Sequence, residues 1–308
     1  MTDPSRPVLL GQNQYGKAET RVVRITRDGA THHIKDLNVS VALSGDMDEV
    51  HYSGSNAHVL PTDTTKNTVY AFAKEYGIDS AEQFGIHLAR HFVTSQPSIH
   101  RARIRIAEYG WERIAGGHSF ARQGRETRLA QITYDGSSWE AVSGIEDLVV
   151  MNTTDSEFWG YAKDKYTTLP EAYDRILATE VSGRWRFGWT GGDGSGDGGD
   201  GMTTVPDWET SYEETKRHLL TAFADTYSLS LQQTLYRMGA RIIENRAEID
   251  EVRFSLPNKH HFLVDLAPFG LKNDNEVYFA ADRPYGLIEA TVLRDGCEPR
   301  IPVDLTHL

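Results

Sequence analysis

Residues 252–266 read Val-Arg-Phe-Ser-Leu-Pro-Asn-Lys-His-His-Phe-Leu-Val-Asp-Leu. Val252, Phe254 and Leu256 alternate with polar neighbours, as on a half-buried strand, and Phe262, Val264 and Leu266 resume the rhythm. Between the two runs Pro257 lacks a ladder donor, so the sheet is expected to break and be re-aimed there. The break presents Asn258, Lys259 and His260. Polar groups cost free energy in a sheet unless partnered, so the cluster marks a candidate site. By strand alternation Asn258 and His260 share one face and Lys259 points the other way.

Working outward, one plan occurs twice. In the first half Val23 and Ile25 alternate on one strand and Leu37, Val39, Val41 and Leu43 on the next, with Asp28-Gly29 as turn chemistry. Val69, Phe72, Ala73 and Tyr76 give a helix over about 66–76 stopped by Gly77. A second helix starts near Ser80, with Gln83 completing a capping box and Phe84, Leu88 and Phe92 as its buried stripe before Pro97. Strands follow at Ala102, Ile104, Ile106 and at Ala130, Ile132, Tyr134. In the second half, strand-like segments span 156–189, with a short helix possible at 170–177. A helix over about 207–226 buries Trp208, Tyr212, Leu219 and Phe223, and one over about 228–245 buries Leu231, Leu235, Met238 and Ile242. Strands then run through Pro257, around Val277 and Phe279, and through Ile288, Ala290 and Val292. The pattern is α+β, with the halves meeting near 145–155.

Composition narrows the function. The chain has 308 residues, a net charge of -12 and no basic tract, which argues against nucleic acid as partner. An anion can still bind where a few Arg or Lys residues converge. No apolar run long enough for a membrane span and no apolar signal core occur. The single Cys297 excludes an internal disulfide framework and fits a reducing compartment, so cytoplasmic is the simplest reading.

Other constellations read blandly one at a time. Gly191 to Gly201 alternates Gly with Asp193, Asp197 and Asp200; its spacing is not an EF-hand's, and a flexible surface loop is expected. His87 and His91 stand four apart on a helix, as zinc ligands can, but without a third ligand they suit a solvated or interface face. Each of the pairs His32-His33 and His260-His261 can send only one ring to a given site from a strand. Thr62-Asp63 reads as an N-cap lying slightly early for a helix beginning at Lys66. Phe158-Trp159-Gly160-Tyr161 reads as core aromatics and Asp174-Arg175 as a surface ion pair. Gln232 is an ordinary polar residue at a helix start.

Taken in order, several segments closely resemble the urate oxidase (uricase) family. They are Tyr15-Gly16-Lys17, Ala57-His58-Val59-Leu60-Pro61-Thr62-Asp63, Lys66-Asn67-Thr68, Ser156-Glu157-Phe158-Trp159-Gly160, Asp164 to Leu169, Asp174 to Thr179, and Ser255 to Phe262. The resemblance spans nearly the whole chain and is poorest over 100–115. It implies two tandem tunnelling-fold (T-fold) units of antiparallel sheet and paired helices: an N-terminal tail at 1–8, units at 9–148 and 149–296, and a C-terminal tail at 297–308. It also implies a homotetramer around a barrel-like tunnel, with active sites at subunit interfaces.

The implied activity is oxidation of urate by dioxygen and water to 5-hydroxyisourate and hydrogen peroxide, with no cofactor and no metal. The implied catalytic relay is Lys17, Thr62 and His260. Urate would meet Thr62 and Asp63 of a neighbouring subunit, the Arg175 fork, the Phe158 ring, the Leu231 amide and the Gln232 side chain; Asn258 would hold dioxygen or water. Leu231 stands where some relatives have Val, which matters little if only its amide makes contact. Two alternatives stand beside that reading: a zinc-dependent T-fold pterin or purine hydrolase using His87, His91 or His118, and a purine-binding module without catalysis.

Overall fold

The computed structural model describes residues 8–191, 204–281 and 283–303. The remainder, including the 191–201 segment beyond Gly191 and most of both tails, lies outside the described residues. The chain divides into two compact units: Met1–Gln123, Leu129–Ala141 and Trp189–Val205 in the first, Gly124–Arg128, Val142–Gly188 and Pro206–Leu308 in the second.

The first unit holds β1 (Tyr15–Asp28), β2 (Thr31–Gly45), α1 (Glu49–Tyr52), α2 (Thr62–Glu75), α3 (Ala81–Ser95), β3 (Ile99–Glu108), a small hairpin of β4 (Trp111–Ala115) and β5 (Ser119–Arg122), and most of β6 (Thr127–Tyr134). Its sheet order is β1-β2-β3-β6, with β2 antiparallel to both β1 and β3. The next strand, β7 (Trp139–Asn152), enters the second unit at Val142. There follow β8 (Leu177–Phe187), α4 (Trp208–Asp225), α5 (Leu231–Asn245), β9 (Ile249–Asn258), a hairpin of β10 (His261–Leu263) and β11 (Tyr278–Ala280), and β12 (Gly286–Leu293). Here the antiparallel order is β7-β8-β9-β12. Apart from the one-turn α1 and the small hairpins, each unit therefore runs strand, strand, two helices, strand, strand. The fold is α+β.

Each core follows the sequence periodicity. Phe84, Leu88 and Phe92 are buried on α3, as are Ile104 and Ile106 of β3 and Ile132 of β6. Trp208, Tyr212, Leu219 and Phe223 of α4 and Leu231, Leu235, Met238 and Ile242 of α5 are likewise buried. Two helical glycines set how closely helix meets sheet: a Cβ at Gly85 would lie 2.8 Å from Ile132, and one at Gly239 would lie 2.6 Å from Val292. Capping is local and strong. Ser80 and Ser230 accept from the amides of Gln83 and Gln233, each such cap contributing about 1 kcal/mol. The capping box at Ser80 is only half made, because the Gln83 side chain turns instead to the His87 ring, 3.1 Å away.

Several sequence expectations need correcting. Pro257 does not break β9, which runs on to Asn258. Pairing with β12 passes straight through, with Leu287 opposite Pro257, while the β8 ladder goes from Ser182↔Ser255 to Thr179↔Asn258, so the missing N–H falls between its rungs. The break comes two residues later, and Phe262, Val264 and Leu266 do not extend the strand: β10 is short and Phe262 is exposed. On β1 it is Thr20 and Val22 that are buried, whereas Val23 and Ile25 face outward, because a bulge between Lys17 and Thr20 resets the alternation. No helix forms at 170–177, and 153–176 is a loop held by isolated bridges rather than a run of strands. Around 277–279 the chain pairs with β10 instead of joining the main sheet.

Candidate functional site

In the second unit the 153–176 loop is folded back on itself by its own main chain. Phe158 and Ala172 exchange hydrogen bonds at 2.7 and 2.9 Å, and the Arg175 amide donates to the Ser156 carbonyl at 2.8 Å. A second set ties the loop to α5. Glu157 donates its amide to Ser228, Ser228 donates to Asp155, and the Thr234 hydroxyl donates to Ser228 Oγ at 2.8 Å. Ser156, Ser228 and Thr234 are fully buried, so these bonds form without competition from water. Small hydroxyl residues thus draw Phe158, Arg175 and the start of α5 together.

The Arg175 guanidinium lies over the Phe158 ring, 5.1 Å from its centroid, and Nε donates to Ser156 Oγ at 3.3 Å. Burial pushes Arg175 below its ordinary pKa, but a guanidinium stays charged. Phe158 also stacks on Tyr161, with centroids 4.9 Å apart and planes at 15°. Leu231 and Gln232 open α5. The Ser230 cap is spent on Gln233, and the first amides of a helix have no intrahelical acceptor, so they are free to meet an electron-rich ligand. The Leu231 side chain is buried and Gln232 is exposed.

Asn258 ends β9, opposite Thr179 on one side and Gly286 on the other. His260 follows in the gap before β10, its ring 5.9 Å from that of Phe262. Burial first, then the positive charge of Arg175 and of His261, lower its pKa. The imidazole is therefore neutral at neutral pH and able to accept a proton.

The first unit gathers a different set. Gly16 is where β1 crosses β2 too tightly for a side chain, since a Cβ there would lie 1.9 Å from Val41 O. Lys17 comes next, at the bulge. The Tyr15 hydroxyl accepts from Leu60 N at 2.9 Å and donates to Leu60 O at 3.1 Å, fastening the start of β1 to the segment that leads into α2. Thr62 and Asp63 are the first two residues of that helix, whose N-cap is Pro61, so neither acts as the cap the sequence suggested. Asp63 is held by Lys66 at 2.5 Å and Asn67 at 3.0 Å. Lys66, above all, and also the Lys17 charge, keep its carboxyl below the usual range.

The histidines of the zinc alternative are engaged otherwise. The His87 ring stacks on Tyr76 at 5.2 Å and His91 meets Phe72 edge-on at 4.8 Å. Among the described residues, no three of His, Cys, Asp or Glu converge as a metal-ligand set.

Comparison with known proteins decides the family. The uricase family model matches residues 13–133 and 141–289. A uricase from Arthrobacter globiformis is 49% identical over 303 residues, 98% of this chain and 95% of the relative. The chain belongs to the uricase family.

A more distant uricase, from Emericella nidulans, is 36% identical over 91% of this chain and 96% of its own length. The crystal structure of Arthrobacter globiformis uricase has a TM-score of 0.89 against this chain, covering 96% of it and 99% of the crystallised chain. At 22% identity, a uricase from Bacillus fastidious shares the fold, with a TM-score of 0.76. Of the residues the uricase resemblance singled out, the second unit brings Arg175 over Phe158 and within electrostatic reach of His260, with Asn258 two residues from His260 and Leu231 and Gln232 opening α5. Lys17, Thr62 and Asp63 belong to the first unit. Sequence reading gave no role to Ser156, Ser228 or Tyr161, although Ser156 opens a quoted uricase motif. Its only signal was that a small hydroxyl residue adjoins so many aromatics.

Proposed function

We propose that this chain oxidises urate with dioxygen and water, yielding 5-hydroxyisourate and hydrogen peroxide, without metal or flavin. Full-length membership of the uricase family is the observation that carries the reading. The residues present suit the chemistry. Urate is flat, anionic and rich in hydrogen-bonding edges. Arg175 would grip one edge with its planar fork, and Gln232 and the Leu231 amide the opposite edge. Phe158 would stack on the ring face.

Lys17, Thr62 and His260 would form the proton relay, with Asn258 holding dioxygen or water over the ring. Two electrons leave urate for dioxygen, and water supplies the hydroxyl added to the ring. Deprotonated, conjugated urate is itself the electron donor, so the protein's task is deprotonation, positioning and charge stabilisation. A neutral His260 beside a cationic Arg175 suits that task, since one can accept a proton while the other holds an anion. We further infer that the two units are tandem T-folds and that the cytoplasmic protein is a homotetramer around a tunnel, with Thr62 and Asp63 of one subunit completing the site of another.

Chelator-treated protein should bleach the ultraviolet absorbance of urate while consuming oxygen. Activity that requires added metal or flavin would overturn the cofactor-free reading. Lys17→Met should lower kcat by about a hundredfold or more, the scale of one general acid–base group, with assembly intact; near-normal turnover would remove Lys17 from the relay.

A further inference from the structure

His260 stands just past the end of β9, in the two-residue gap before β10, where no ladder partner fixes it. Two main-chain bonds hold the gap: Lys259 N donates to Ala178 O at 2.8 Å, and Ala281 N to His260 O at 2.9 Å. The His261 ring adds a bond to Lys259 O at 3.1 Å, and a further anchor is a side chain. The Lys259 ammonium pairs with Glu180 of β8, the residue after Thr179, which itself faces Asn258. At 30% and 20% side-chain exposure the pair is screened less than a surface pair would be.

Glu180 is also hydrogen-bonded to Asp147. Asp147 occupies the β7 bulge between Ile145 and Leu148 and has the left-handed φ of 60°, a conformation rare for a residue with a side chain. Two carboxyl groups in hydrogen-bond contact need a proton between them. Burial, then Glu180 and Glu146, push Asp147 up against the opposing charge of Arg125, whereas Lys259, Asp147 and Arg125 hold Glu180 down. Of the two carboxyls Asp147 is therefore the one pushed up and Glu180, beside the Lys259 ammonium, the one held down.

We propose that Asp147, Glu180 and Lys259 form a positioning device that clamps the end of β9 and so sets where Asn258 and His260 stand. The function of the clamp rests on the urate-oxidising reading above. Lys259 is a positioning residue and takes no proton from substrate.

The test compares Lys259→Met, Lys259→Arg, Glu180→Gln and the Lys259→Met/Glu180→Gln double variant with the unaltered protein. It measures urate-dependent oxygen uptake, KM for urate, and titration with xanthine, a planar purine lacking the C8 oxygen. A displaced reacting group costs turnover more than binding, so Lys259→Met should lower kcat about tenfold to a hundredfold while urate KM and xanthine affinity stay within about twofold. Glu180→Gln should act in the same direction, the double variant should be no worse than Lys259→Met alone, and Lys259→Arg should recover most of kcat. Folded Lys259→Met with kcat within about twofold of normal, or a double variant with additive losses, would overturn the clamp. If Lys259→Met does not fold, an unchanged kcat in Glu180→Gln overturns it. No oxygen uptake by the unaltered protein would instead sink the urate-oxidising reading itself.

Discussion

Arg175 and His260 show how one desolvated environment treats two cations differently. Burial lowers both pKa values, but the guanidinium remains charged whereas the imidazole gives up its proton. Arg175→Lys keeps the charge and loses the fork, removing one charge-assisted hydrogen bond worth about 1.5–3 kcal/mol, so KM for urate should rise about tenfold to a hundredfold in steady-state assays. For His260 the lowered pKa fixes the sign of two pH effects. A relay that needs the neutral ring should keep working below the ordinary imidazole value of about 6.5, so the acid limb of kcat should lie beneath it. In the unfolded chain the same ring takes up its proton near 6.5, so its contribution to stability, present above that pH, is lost as pH falls toward the folded value. Denaturant midpoints measured against pH should therefore drop on the acid side of about 6.5, with half-buried His87 and His91 and buried His218 acting in the same direction.

At the scale of elements, the helices sit where they do because glycine lets them. On α5, a Cβ at position 239 would collide with Val292 of β12. Alanine normally favours a helix over glycine by about 1 kcal/mol, but overpacking costs about 1–3 kcal/mol, so Gly239→Ala should destabilise the protein in thermal or denaturant unfolding. The same helix presents Leu231 and Gln232, so a shift of α5 would reach the site as well as the core. Loop 153–176 depends on main-chain bonds between Glu157 and Ser228 and between Ser228 and Asp155, which act over dozens of residues of sequence and have no periodic signature. That explains why the aromatics near Phe158 read as core material in one dimension, although Trp159 and Tyr173 are exposed and Phe158 is half-buried beside Arg175.

At the scale of the molecule, net charge -12 is set against the Arg175 guanidinium at the site. Repulsion keeps the acidic surface apart from most anions, while Arg175 offers the guanidinium that one small anion needs. If Thr62 and Asp63 of one subunit complete another subunit's site, specific activity should fall on dilution through the assembly range and recover on concentration. Activity measured alongside sedimentation checks this; constant specific activity in dissociated protein would place the whole site in one subunit.

The sequence by itself determined the doubled order of strands and helices, the buried stripes of α3, α4 and α5, and the Ser80 cap, because side-chain periodicity and capping are local properties of the chain. Its ordered motifs also pointed to the uricase family. Only the tertiary structure decided that β9 runs through Pro257 and ends at Asn258. A missing donor matters only if that rung of the ladder needs one, and register is set by strands distant in sequence. The tertiary structure likewise moved the buried face of β1 through one bulge, since one inserted residue reverses every later side chain. It also gave Lys259 its partner. Alternation could say that Lys259 leaves the face of Asn258 and His260, but only the fold could bring Glu180, and Asp147 behind it, to meet that charge.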